Sequence, residues 1–314
     1  MRVKILLVIL AITISLILLI ETLLRLILGF GNPPIYLADE SIGYLLAPNQ
    51  KVRRFNKRMV INQYSQRNET ISSHRPTQTL RLFLLGDSVA NGAWWTDQSE
   101  IISNLIKQQL ELKKSQPVEV LNASANSWSP RNQLAYLERY GTFEAEVIIL
   151  LINTDDLFGT APTSLPVGNS VSYPDSKPPL AFIELYQRYF VEEKPIPGMA
   201  EVKAESGDRV GFNLAAITNI KKISQQNNSK FILAMTPLWR EVESHPRDYE
   251  KKARQRLLEF TQAEEIPYTD FLPLFKQTNS PKSLFRDHIH LSPKGNQLVS
   301  DVLTQEILAI LEKS

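Results

Sequence analysis

A serine follows an apolar run in "RLFLLGDSVANG", residues 81–92, where a β-like segment meets Gly86-Asp87-Ser88. A serine at a strand end is ordinarily turn chemistry. It becomes a nucleophile when a base stands within hydrogen-bond reach. The chain has four histidines to supply one: His74, His245, His288 and His290. His74 lies in a polar linker and His245 in "ESHPRD", whereas His288 and His290 occur in "LFRDHIHLSPKGNQLV", just ahead of the last helical stretch. Asp287 stands three positions before His290, so a tight turn would let its carboxylate hold the imidazole. That contact would fix the tautomer and stabilise the imidazolium formed during attack. Ser292 and Pro293 read as N-cap and first residue of the helix that anchors this turn.

Residues 88 and 290 can meet only if the intervening chain folds them together. Short apolar runs at "LRLFLL" (80–85), "VEVLNA" (118–123), "EVIILLIN" (146–153) and "KFILAMT" (230–236) read as strands buried on both faces, with "IPYTD" (266–270) a fifth. Amphipathic stretches at 99–115, 131–141, 214–226, 249–265 and 292–313 alternate with them. This order predicts an α/β fold with a parallel sheet and helices on both faces. In such a sheet ligands bind beyond the carboxyl ends of the strands, which is where Ser88 falls. Residues 158–208, rich in Pro, Gly and Ser, interrupt the pattern as a long insertion with one helix expected at 181–193.

The N-terminal part differs. Residues 5–20, "ILLVILAITISLILLI", carry no charge, and Arg2 and Lys4 precede them. Sixteen helical residues span about 24 Å. Snorkelling of Lys4, with Glu21 at the far interface, extends that toward a hydrocarbon core of roughly 30 Å. Glu21 and Arg25 are spaced to pair at i, i+4. We read residues 1–30 as a single transmembrane anchor rather than a cleaved signal peptide, because no A-x-A site follows. Arg2 and Lys4 favour the N-terminus inside, with the globular part outside the cytoplasmic membrane, periplasmic or extracellular. Residues 31–79 read as an irregular connecting module, with β-like runs at "IGYLL" and "MVINQY", and residues 80–314 as the α/β domain. The basic stretch "KVRRFNKR" (51–58) reads as a solvated face, with anionic headgroups as the alternative contact.

Over 314 residues, 35 basic and 33 acidic side chains nearly cancel, giving a net charge of +2, so nucleic acid is not an expected partner. The absence of cysteine removes disulfides, thiolate metal sites and a cysteine nucleophile together. Alternating His288 and His290 lack further ligands at metal spacing, and "GDSVANG" is not a phosphate-binding fingerprint. No cofactor is expected.

Taken together, "FLLGDSVANG", "DHIHLSPKGNQLV" and the intervening "IPYTDFLPLF" (266–275) resemble the GDSL/SGNH hydrolase family over about residues 80–313. The resemblance implies a three-layer α/β/α, flavodoxin-like fold. It also implies Ser88 as nucleophile, His290 as general base and acid, Asp287 as its orienter, and ester hydrolysis through an acyl-enzyme. His288 is then a structural neighbour, or the alternative base. Oxyanion donors are expected from Ser88, Ser124, Asn126, Asn153 and Asp155. In "VLNASANSW" Ser124 falls where the family has a glycine, and in "INTDDL" Asp155 takes the place of an asparagine. A carboxylate there would repel the developing oxyanion. Three accounts follow: Asp155 is protonated by burial, Asn153 or Asn126 supplies the amide instead, or the site no longer hydrolyses. The second is preferred.

All four tryptophans (Trp94, Trp95, Trp128, Trp239) follow strand ends, either as packing or as rings beside the crevice for a sugar or an acyl chain. The leading expectation is a membrane-anchored serine esterase acting on an acyl ester of a glycan or, second, a lipid. The alternatives are an O-acyltransferase of envelope polysaccharide and a non-catalytic glycan-binding or assembly protein. The oligomeric state is left open.

Overall fold

Apolar residues alternate on the central strands so that each strand feeds two cores, and this divides the molecule into layers. The computed structural model describes residues 1–312; the expected helix end at 313 and the domain's last two residues, 313–314, lie outside the described residues. The first helix, α1 (Arg2–Leu23), continues through a π-helical turn at Leu24–Leu28 and ends at Gly29, whose φ of 75° suits glycine. Residues 2–28 include an 18-residue stretch with a mean hydropathy of 3.0 and are long and apolar enough to cross a membrane, as an anchor or a signal sequence would be. Glu21 and Arg25 pair at 2.6 Å.

The segment read as an irregular connector contains two antiparallel hairpins. They are β1 (Tyr36–Asp39) with β2 (Gly43–Leu46), and β3 (Gln50–Arg54) with β4 (Lys57–Ile61). Phe55 and Asn56 join the second pair with φ of 46° and 62°, the geometry of a two-residue hairpin turn. Tyr36, Ile42, Leu46, Met59 and Ile61 share one apolar cluster with Phe83 and Leu121 of the sheet, so these hairpins belong to its core. Strands of four and five residues are too short for a clear alternating signal. The basic stretch 51–58 is only partly a solvated face: Lys51 and Arg53 are exposed, but Arg54 is buried against Glu184 at 2.6 Å.

Then come β5 (Leu80–Gly86), α2 (Ser88–Asn91), α3 (Ile102–Lys113), β6 (Val118–Ser124), α4 (Pro130–Tyr140) and β7 (Val147–Asn153). A 3-10 turn, Thr154–Phe158, opens the insertion, which carries α5 (Ala181–Phe190) and a further short helix, α6 (Met199–Lys203). The remaining elements are α7 (Arg209–Gln226), β8 (Lys230–Thr236), α8 (Trp239–Val242), α9 (Asp248–Ala263), β9 (Tyr268–Asp270), α10 (Phe271–Lys276) and α11 (Pro293–Glu312). Helix α7 starts five residues before its expected position because the Asp208 side chain caps it, accepting from the Gly211 amide.

The five long-range strands form a parallel sheet in the order β6-β5-β7-β8-β9. Leu82 and Leu84 face a core closed by α3, α10 and α11, while Phe83 and Leu85 face one closed by α4, α7, α9 and the hairpins. This is the three-layer α/β fold expected. Because β6 and β7 flank β5 on opposite sides, the winding reverses at β5 and opens a crevice at its carboxyl end.

One buried side chain joins the hairpin region to that crevice. Arg67, fully buried, donates to the carbonyls of Asn91, Ala93 and Thr96, tying down the loop that follows Ser88. Arg67→Met would leave these carbonyls without their donor. We expect a loss of roughly 2–5 kcal/mol in chemical denaturation; an unchanged unfolding midpoint would show that the loop does not depend on this guanidinium.

Candidate active site

Strand β5 ends at Gly86, and α2 folds back over it. A Cβ at residue 86 would lie 2.4 Å from Ala90 Cβ and 3.0 Å from the Leu151 carbonyl oxygen, so only glycine permits this close turn. Asp87 caps α2, its Oδ1 accepting from the Val89 amide at 2.8 Å. Ser88 is thereby held as the first residue of α2, 8% exposed, at the switch point of the sheet.

His290 reaches the same point from the far end of the chain. Asp287 Oδ1 accepts from the amides of Ile289 (3.0 Å) and His290 (2.8 Å), which closes a tight turn. Its Oδ2 lies 2.8 Å from His290 Nδ1, and His290 Nε2 lies 2.9 Å from Ser88 Oγ. With Nδ1–H donated to Asp287, Nε2 is left as the acceptor for the Ser88 hydroxyl. Ser292 Oγ accepts from the Gly295 amide at 3.2 Å, capping α11 directly behind the turn. Trp95 packs edge-on against the imidazole at 4.9 Å. Burial pushes the Asp287 carboxyl up, but the two amides and the imidazole outweigh it and hold the group below its ordinary value. His288 sits at the rim, its ring largely exposed and 4.0 Å from Asp287.

Ser88, His290, Asn91, Asn126, Ser127 and the rings of Trp94, Trp95 and Tyr173 line a cavity of about 550 Å³, with His288 at its mouth. Several expected donors lie elsewhere. Ser124 ends β6 fully buried, its hydroxyl bonded to Asn122 and its carbonyl accepting from the Asn91 amide at 3.0 Å. The residue of that loop in the glycine-favouring conformation is Ser127, with φ 57°, three positions beyond the one matched to the family glycine. The Asn153 side chain is committed: Nδ2 donates to Asp87 Oδ2 at 2.7 Å, and Oδ1 accepts from the Asp155 amide at 2.8 Å. Asp155 is exposed and pairs with Arg240 at 3.3 Å, so the burial that the first account needs is absent. Asn126 alone of these amides faces the cavity, and its Oδ1 is buried without a hydrogen-bond partner.

Two tryptophans also fall outside the cavity. Trp128 is core, its indole N–H donating to the Tyr44 carbonyl at 3.0 Å, and Trp239 packs against Phe285. Behind the site lie two buried acids, Asp87 and Asp156. Burial raises both, Asp156 strongly, and the neighbouring Asp87 carboxylate raises Asp156 further. The cavity walls contributed by Tyr173 and Arg188 of the insertion and by Tyr36 and Met59 of the hairpins carry no sequence signal for chemistry. Ser127 was detectable only as a polar residue in an Asn-Ser turn.

Residues 84–298 match the model of the GDSL-like lipase/acylhydrolase family. No curated protein matches the chain. Among solved structures, a lipase/acylhydrolase from Enterococcus faecalis is 15% identical, covering 72% of this chain and 94% of its own, with a TM-score of 0.46. A psychrotrophic esterase from Pseudoalteromonas sp. is also 15% identical, covering 74% and 99%, with a TM-score of 0.44. An acetyl xylan esterase is 13% identical, covering 72% and 99%, with a TM-score of 0.48. Identity and TM-scores this low leave the assignment to the family match. On that match the chain belongs to the GDSL-like lipase/acylhydrolase family and is an ester-hydrolysing enzyme with an α/β SGNH fold.

Proposed function

We propose that this chain is a membrane-anchored serine esterase that works through Ser88, His290 and Asp287. The observation that carries the reading is the unbroken hydrogen-bonded line from Asp287 Oδ2 through His290 to Ser88 Oγ, at 2.8 and 2.9 Å. The Ser88 proton passes to His290 Nε2 as Oγ bonds to the ester carbonyl carbon. The tetrahedral adduct then expels the alcohol, which takes the proton back from Nε2, and leaves an acyl group on Ser88. Water repeats the sequence, His290 again taking and returning a proton, and the carboxylic acid departs. Asp287 stays ionised throughout and stabilises the imidazolium.

The oxyanion donors in this reading are the backbone N–H of Ser88 and the Asn126 amide. Asn126 is supported by its place in the cavity wall beside Ser88 and His290. The preferred account of the missing asparagine is therefore narrowed to Asn126, since Asn153 is occupied. The pairing of Asp155 with Arg240 favours the catalytic reading over the non-catalytic one. Trp94 and Trp95 form the substrate-facing rings, for an acyl ester of a glycan or a lipid. An O-acyltransferase would use the same steps with an acceptor hydroxyl in place of water. The anchor is α1, with Arg2 and Lys4 on the cytoplasmic side and the catalytic body outside.

A fluorophosphonate probe should label the wild type and neither Ser88→Ala nor His290→Ala; labelling of Ser88→Ala would identify a different nucleophile. Asp287→Asn keeps the shape of the turn but loses the tautomer control. It should lower kcat by on the order of 10³–10⁴-fold, and a loss below tenfold would remove Asp287 from its role.

Because the folded state holds Asp287 below its ordinary value, it contributes stability that is fully present above the unfolded pKa of about 4. That contribution is lost as pH falls through the lower folded value. Unfolding of wild type and Asp287→Ala between pH 3 and 7 should therefore differ by a constant amount above about pH 4, with the gap closing below it. A gap that widens toward acid would contradict the direction of the shift.

A further inference from the structure

Helix α5 turns aromatic side chains away from the body of the protein. Its inward side combines apolar Ala181, Phe182 and Leu185 with polar Glu184 and Arg188. Glu184 is buried and holds Arg54 at 2.6 Å and the Gly31 amide at 2.6 Å, and Arg188 donates to the Val171 carbonyl at 3.0 Å while lining the catalytic cavity. Its outward residues are aromatic: Tyr186, Tyr189 and Phe190 are 61%, 59% and 72% exposed. A helix facing water ordinarily carries charged and polar residues on its outward side.

The end of α1 is fastened to the start of α5. Glu21 accepts from the amides of Ala181 (2.8 Å) and Phe182 (3.2 Å), and Arg25 donates to the Pro179 carbonyl at 2.8 Å. Leu24 and Phe30 are buried with Ala181, Phe182 and Leu185 around this junction. The twenty residues from Arg2 to Glu21 span about 30 Å as a helix, the thickness of a hydrocarbon core. Glu21 therefore marks the level at which α1 leaves the bilayer, and α5 begins at that level.

We propose that α5 is an interfacial helix, its Tyr186–Tyr189–Phe190 side resting on the surface of the bilayer that α1 enters. The proposal rests on the anchor reading of α1. Further apolar side chains lie exposed or packed around the junction. Leu26 and Ile27 are exposed on the π-helical turn, and Phe30 contacts both Tyr189 at 6.3 Å and Phe55 of the hairpin tip at 5.8 Å. Lys51, Arg53 and Arg58 on that hairpin are exposed and cationic, which suits anionic headgroups. Tyrosine and phenylalanine at headgroup depth bury their rings while keeping polar groups wet. Because Arg188 of α5 lines the cavity, this arrangement brings the cavity within reach of acyl esters presented at the membrane surface.

The native chain has no cysteine, so one introduced thiol reports one position. Phe190→Cys would be labelled with an environment-sensitive fluorophore in the full chain, reconstituted in phosphatidylcholine–phosphatidylglycerol vesicles carrying headgroup-level nitroxide lipids. Leu10→Cys on α1 and Leu112→Cys on α3 serve as references. We expect the label at 190 to be quenched several-fold more than that at 112. Equal quenching at 190 and 112, with a label at Leu10 shielded from aqueous iodide, overturns the interfacial helix and leaves the anchor standing. A label at 10 open to iodide overturns the anchor and this proposal with it. Residue 190 lies outside the catalytic cavity, so retained fluorophosphonate labelling checks folding. Tyr186→Cys repeats the measurement if Phe190→Cys fails that check, with the same outcomes.

Discussion

The hydrogen bond between Ser88 Oγ and His290 Nε2 joins side chains 202 positions apart, and most of the architecture serves its geometry. Ser88 can sit at the carboxyl end of β5 only because the sheet winds in both directions from that strand. It can face outward only because Gly86 lets α2 fold back without a side chain in the way. His290 is aimed from the other side by three successive local bonds from Asp287 and by the cap that starts α11. A displacement of a fraction of an ångström in either support would break the bond, since its strength falls steeply with distance and angle.

Polar groups behind the site are buried at a cost and are satisfied by one another. Asp87, Asn153 and Asp156 form a closed set in which the Asn153 amide bonds Asp87 and its backbone N–H bonds Asp156. Two carboxyls this close to each other and out of water favour the protonated form for one of them, which is the direction of the Asp156 shift. The same set explains why Asn153 does not reach the cavity. A side chain committed to a buried acid cannot also serve a substrate without leaving that acid unpaired. Asn126, on a loop and unbonded through Oδ1, carries no such obligation.

The walls of the cavity come from parts of the chain outside the alternating strand–helix pattern. The hairpins contribute Tyr36 and Met59, and the insertion contributes Tyr173 and Arg188. Arg67 ties the first of these to the loop after Ser88, and Glu184 ties the second to Arg54 of the hairpin. The strands and helices of the family fold place Ser88 and His290, while the hairpins and the insertion supply much of the cavity wall around them.

What the sequence alone determined follows from local rules. Continuous apolar runs bounded by turn residues marked all five sheet strands, and the Glu21–Arg25 spacing marked a pair that forms. Asp287 and His290 could be matched because three residues span a single turn. What only the tertiary structure decided depends on where side chains point after packing. Ser124, Asn153 and Asp155 have the right chemistry and place in sequence, yet one is buried, one is bonded to Asp87 and one turns outward to Arg240. Trp128 and Trp239 likewise follow strand ends as Trp94 and Trp95 do, but pack away from the cavity. Residue type and spacing fix which bonds are available nearby; competition among distant partners for the same polar atom is settled only when the chain has closed around it.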